Sequence, residues 1–311
     1  MAHGIDPTKC LTTGKFVPRI GQMLEGWGKV DPLTEKMLPV EADVPEFLIA
    51  AARLKTATQK ERAVGDLTMM AFCYLLRIGE YSDKGEGTGA TQTQPFKMKD
   101  VAFFGTNSTT GRLYRIHHNA RDWEIMNAKC ATLKLDNQKN GWKGVCVNHE
   151  ANGDEYNCGV KAIGRLYCHI RKHTSDPSTP LFTYFDEKGK QGTVSDQDIR
   201  EAIKTAATEC DYPGTRGMPI KLINTHSLRI GGACALALAG YSDTQIQKMG
   251  RWRGETFKEY VRENLSNYAE GMSKAMMKKH YFVNIDSGTY TDVSSICEST
   301  EYGQRVMPAA A

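Results

Sequence analysis

No run in this sequence approaches the roughly 18 consecutive apolar residues that a membrane-crossing helix needs. The opening residues, MAHGIDPTKCLTTGK, hold no apolar core of the kind that directs secretion. Nine cysteines are present, an odd number and scattered. With no secretory signal, they are expected to be free thiols in a reducing, intracellular compartment. Cys146, Cys158 and Cys168, with His149, His169 and His173, do not form the two tight ligand pairs of a zinc finger, so no metal site is expected. Internal repeats are missing too. The charge excess is small: net +4 with a pI near 8.5. That is compatible with a polyanionic partner but too mild to establish one. A membrane protein, a disulfide scaffold and a zinc module are thereby disfavoured.

What is present is an ordinary globular composition, with 40% hydrophobic and 24% charged residues over 311 positions. Residues 1–44 are rich in Gly and Pro and read as an irregular lead-in. EFLIAAARLKTAT at 46–58 predicts a helix that begins at Pro45. A second helix is expected over 61–77; it is apolar on nearly all sides after Leu67 and so central and buried. Short strands follow at 100–105, 112–118, 130–135 and 145–149, with Asn140-Gly141 marking a hairpin turn between the last two. Helices are then expected over 159–173 and from Ser195 to about Thr208, with an extended segment at 181–185 between them. Helices, a small antiparallel sheet and helices again make an α+β domain that is mostly α, rather than an alternating βα fold. It should cover 45–280, ahead of a polar, partly disordered tail at 281–311.

Residues 226–262, HSLRIGGACALALAGYSDTQIQKMGRWRGETFKEYVR, concentrate the chemistry. His226 and Arg229 lie three apart, on one helical face. The small residues after them, from Gly231 to Ala239, suit a helix packed close to its neighbours. Gly240 and Gly250 read as helix stops. Ser242 with Gln245, and Thr256 with Glu259, read as capping boxes. Tyr260 then falls near the first turn of a third helix. An Arg fork matches phosphate oxygens, a Tyr can attack covalently and a His can handle a proton. Arg77 ends the apolar helix and needs a counter-charge; Glu80 or a bound phosphate can supply it. Lys139 sits at the hairpin tip.

The ordered set Arg77, Lys139, His226-x-x-Arg229, Trp252, Tyr260 resembles the tyrosine recombinase (phage integrase) family over about residues 45–280. The matching pieces are LLRIGEY at 75–81, HSLRIGGA at 226–233 and GRWRGETFKEYVR at 250–262. The GRW segment looks most like the Crypton and DIRS-type recombinases of eukaryotic mobile elements. The resemblance implies DNA cleavage and rejoining through a 3′-phosphotyrosyl bond, with Tyr260 as nucleophile. Arg77 and Arg229 would hold the non-bridging oxygens, and His226 would handle a proton. Trp252 fills the position where relatives have His or Trp. Lys139 would protonate the leaving 5′-oxygen, with Lys143 and Lys134 as competitors. The basic residues Lys248, Arg251, Arg253, Lys258 and Arg262 would grip DNA phosphates around the nucleophile.

The implied partners are double-stranded DNA and further copies of the chain, in the nucleus if the host is eukaryotic. No cofactor is implied, because the phosphotyrosyl ester conserves the bond energy. Residues 1–44 would be the remnant of a helical core-binding domain, leaving the clamp around DNA incomplete. Two other readings stay open. One is a nicking-closing enzyme like the type IB topoisomerases. The other is a recombinase-derived DNA binder without catalysis.

Overall fold

A computed structural model describes residues 36–85, 93–135 and 144–252, with Gly254 and Lys258. The chain is α+β and mostly helical. In order come α1 (Asp43–Ala52), α2 (Gln59–Cys73), α3 (Ile78–Tyr81), β1 (Val101–Thr106), β2 (Leu113–Arg115), α4 (Asp122–Met126), β3 (Cys130–Leu135), β4 (Val145–Glu150) and α5 (Gly159–Arg171). Then follow β5 (Thr183–Phe185), β6 (Gln191–Thr193), α6 (Asp196–Glu209), α7 (Tyr212–Arg216), α8 (Thr225–Leu238) and α9 (Asp243–Gly250). Among the described residues no helix is long and apolar enough to cross a membrane.

The central helix is α2. Thr58 caps it, accepting from Glu61 N while Glu61 returns a carboxylate to Thr58 N. From Ala63 to Phe72 every residue is buried, as the apolar run predicts. Helices α1, α5 and α8 pack around it. α5 presents Val160, Ile163, Leu166, Tyr167 and Ile170 to the core at helical spacing. The sheet runs β2-β1-β3-β4, all antiparallel. Val101 pairs with Leu133 and Leu133 with Val147, so one face carries a continuous apolar row into the same core. β5 and β6 form a separate hairpin.

Several boundaries differ from those expected. α1 starts at Asp43 and stops at Ala52, six residues short of the predicted end; Arg53 caps it, with its side chain paired to Asp66 at 2.8 Å. α2 ends at Cys73 rather than Arg77, because Leu75 adopts a left-handed φ of 49°. α4, α7 and β6 have five, five and three residues, too few to show a period. The predicted 136–141 turn, the Thr256–Glu259 box and the 281–311 tail lie outside the described residues.

Candidate functional site

The site is assembled at the C-terminal end of α2. Leu75 is buried and left-handed, a conformation that costs a non-glycine residue about 1–2 kcal/mol. Its carbonyl accepts from two guanidiniums, Arg229 Nη1 and, at 3.2 Å, Arg251 Nη2. The Tyr74 carbonyl accepts from Arg251 Nη1 at 3.2 Å. Arg229 Nη2 donates to the Gly250 carbonyl. Carbonyls at a helix end are orphan acceptors, and two arginines satisfy them here.

α8 delivers His226 and Arg229. Asn224 caps it, its side-chain oxygen accepting from His226 N at 2.8 Å. Close approach then depends on two glycines. A Cβ on Gly231 would sit 1.8 Å from the Val40 carbonyl oxygen, and one on Gly232 would sit 2.4 Å from that of Phe72. The expected run of small residues is therefore a contact surface in its first half, and it turns to solvent near Ala239.

α9 is opened by the expected Ser242–Gln245 capping box. Gly250 is its last helical residue, and Arg251 carries the left-handed turn at φ 57°. Gly250 is needed for space: a Cβ there would lie 1.5 Å from the Trp252 ring. That ring covers Arg229, whose Cζ lies 4.3 Å from its centroid.

Glu80 gathers the cations. It is 0% exposed and accepts from Arg251 Nη2 at 2.8 Å, from Arg77 N at 2.9 Å and from Arg77 Nη1 at 3.4 Å. Arg77, which caps α3, is the exposed member, with a side chain 22% accessible. Two guanidiniums thus share one carboxylate, and Arg229, held by carbonyls, adds a third positive charge to the cluster, leaving positive potential for an anion. Burial lowers the His226 pKa from its ordinary 6.5, and the charges of Arg229 and Arg77 lower it further. Its imidazole is therefore neutral near pH 7 and able to accept a proton. Burial also lowers the Arg251 pKa, against the pull of Glu80. Arg251 Nε finds no hydrogen-bond partner among the described residues.

Arg77, His226, Arg229 and Trp252 are therefore together. Arg229, however, is 1% exposed. Its terminal nitrogens are engaged on carbonyls, so a phosphate oxygen would have to displace one of them. Arg251 corrects the sequence reading. It is not a surface contact for DNA but a 1% exposed anchor paired with Glu80. Lys248 is exposed on α9. Lys258 is exposed and pairs with Asp243 at 3.4 Å. Lys134 is exposed on β3 opposite Cys146. Lys139, Lys143, Arg253, Tyr260 and Arg262 lie outside the described residues. Glu80 is the counter-charge expected for Arg77 from its i,i+3 spacing; its second role, holding Arg251, had no signal in the sequence.

No family profile matches this chain, and no curated protein does. Among solved structures, the chain is similar to the Tn1549 transposon integrase in complex with transposon right end DNA: 14% identity, 79% of this chain and 68% of that one, TM-score 0.40. It is also similar to XerA recombinase: 16% identity, 81% and 67% coverage, TM-score 0.44. A third similar structure is the XerH site-specific recombinase bound to difH substrate, with 13% identity and TM-score 0.44. There 80% of this chain spans 56% of the other.

Proposed function

We propose that this protein breaks and rejoins DNA strands through a covalent 3′-phosphotyrosyl intermediate. The observation that carries this reading is the gathering of Arg77, His226 and Arg229 at one site, where Glu80 holds Arg77 and the charges of Arg77 and Arg229 both act on His226. They come from segments about 150 residues apart and leave excess positive charge beside a neutral imidazole. Phosphoryl transfer is mainly positioning and charge stabilisation, and this cluster supplies both.

In the proposed step the Tyr260 oxygen bonds to phosphorus and the bond from phosphorus to the 5′-oxygen breaks. Neutral His226 accepts the phenolic proton. Lys139, or Lys143 or Lys134, protonates the departing oxygen. Arg77 holds a non-bridging oxygen from its exposed position, and Arg229 adds charge from behind. Attack by a free 5′-hydroxyl on the phosphotyrosyl ester reverses the step and regenerates Tyr260. Integration or excision of a mobile element, by several copies on one duplex, is the setting we propose.

One observation favours a second reading, a DNA binder without catalysis: both terminal nitrogens of Arg229 are held by backbone carbonyls. A nicked suicide substrate separates the two. Wild type should form an adduct that protease collapses, and Tyr260→Phe should not. Binding without any adduct selects the second reading. Relaxation of supercoils without strand exchange would select a nicking-closing enzyme. A 5′-thio leaving group, which needs no general acid, should rescue only the lysine variant that removes the true proton donor.

A further inference from the structure

We propose that a second, separate groove on this protein binds the phosphodiester backbone of a nucleic-acid strand. The groove has a volume of about 770 Å³ and lies between the start of β1, strand β2, the 117–121 segment and the C-terminal end of α5. Five cations line it: Lys99, Arg115, Arg121, Arg171 and Lys172. Among the described residues no carboxylate does. Asp122, behind the wall, is already engaged by Arg171 and, at 3.2 Å, by Lys172. Asp176, beside the lining residues Ser175 and Pro177, is turned onto Ser178 N and its hydroxyl. Glu124 of α4 accepts from Arg121 N. Arg115 and Arg121 are exposed, and their side chains have no carboxylate partner among the described residues. Two cations are thus pre-positioned by Asp122 and two more are left for a ligand.

The rest of the groove suits a strand rather than an isolated ion. Arg171 Nη1 donates to the His118 carbonyl at 3.2 Å, which ties the 117–121 segment to α5. A smaller cleft continues the groove past Arg115 and His118, over Phe103 and Tyr167, whose rings meet edge to face at 5.4 Å. One large aromatic stands exposed close by in sequence, Trp123 at 59%, two residues after Arg121. Cations that track a backbone, with aromatic faces on which bases can stack, are how single strands are held.

The groove is apart from the Arg77 cluster. A Cβ on Gly159, at the start of α5, would lie 2.7 Å from Cys73 Cβ, at the end of α2. Arg171 is twelve residues further on, which places it about 18 Å from there along the α5 axis. That is roughly five base steps of nucleic acid at 3.4 Å each. The groove needs none of the strand-breaking chemistry proposed above and is tested independently of it.

The test is the salt dependence of binding to a labelled single-stranded oligonucleotide and to its duplex. It uses the full chain, the double variant Arg115→Ala/Arg121→Ala, and the double Arg→Lys variant. Loss of two phosphate contacts should reduce the slope of log K against log[salt] by roughly 1.4 for the single strand or roughly 1.8 for the duplex. The Lys variant should restore the slope, and thermal melting should be unchanged, because both residues are exposed. The larger change identifies whether strand or duplex occupies the groove. An unchanged slope in the Ala variant overturns the proposal, and so does failure of the wild type to bind either form. Labelled polyglutamate that binds wild type and not the Ala variant, with the nucleic-acid slope unchanged, marks an acidic-protein surface and also overturns it. A wild type that shows the slope effect but forms no covalent adduct leaves the groove standing while the proposed catalysis fails.

Discussion

Arg251 and Glu80 form an ion pair at 2.8 Å in which neither side chain is more than 1% exposed. A charge buried this deeply is tolerated because its partner and nearby carbonyls take the place of water. Removing one member strands the other. Glu80→Gln and Arg251→Met are each expected to cost about 3–5 kcal/mol in urea denaturation. The double replacement Glu80→Leu/Arg251→Met should recover most of that stability. It should not recover phosphate binding, because Arg77 loses its anchor as well.

Close packing of α8 against α2 and Val40 gives a second expectation. Gly231→Ala and Gly232→Ala place a methyl against backbone carbonyl oxygens that cannot swing aside. Each should cost at least about 1–3 kcal/mol by chemical denaturation. Gly254→Ala meets nothing within 4 Å and serves as the neutral control, within about 0.5 kcal/mol.

Trp252 combines core packing with a face for Arg229. Trp252→Ala should destabilise by about 3–5 kcal/mol, as expected for a buried large aromatic. Trp252→Phe keeps a smaller ring over the guanidinium and should retain most of the stability. Anion affinity, measured with a short duplex, should fall further for Ala than for Phe.

The pH response follows from His226, His149 and His169, each lowered from 6.5 with burial as the largest cause. A depressed histidine pKa means that the unfolded chain binds more protons in the window below 6.5. Stability therefore rises with pH through that window and is lost as pH falls. His226→Gln should flatten the acid limb of a stability-versus-pH curve. An added phosphodiester should raise the His226 pKa, read by NMR titration, because an anion offsets the repulsion from Arg77 and Arg229. A His226 resonance that titrates at or above its ordinary value in the free protein would contradict this account.

The sequence made the larger elements legible because each carries a strong local signal. α2 is apolar on nearly all sides after Leu67, α5 is amphipathic over 13 residues, and Ser195 and Ser242 both open helices as their capping patterns predict. β3 falls on the predicted Cys130–Leu135. The four-residue helix after Arg77 and the left-handed turns at Leu75 and Arg251 were not legible. Neither Leu nor Arg favours that conformation, and tertiary contacts to carbonyls impose it. The same contacts explain the misreading of Arg251. In sequence it is one more basic residue among Lys248, Arg253 and Lys258. Only the fold brings Glu80 and the end of α2 against it.

Both buried arginines are fastened largely to main-chain oxygens, at positions 74, 75, 249 and 250. Every amino acid offers the same carbonyl. As far as these bonds are concerned, substitutions at 74, 75 and 249 can drift provided the backbone keeps its path, whereas Gly250 is fixed by the Trp252 ring that fills its Cβ space. Paired changes between aligned relatives would therefore register Arg251 with Glu80, or Arg229 with Trp252. They would stay silent about the contacts to Tyr74 and Leu75 that aim the two guanidiniums.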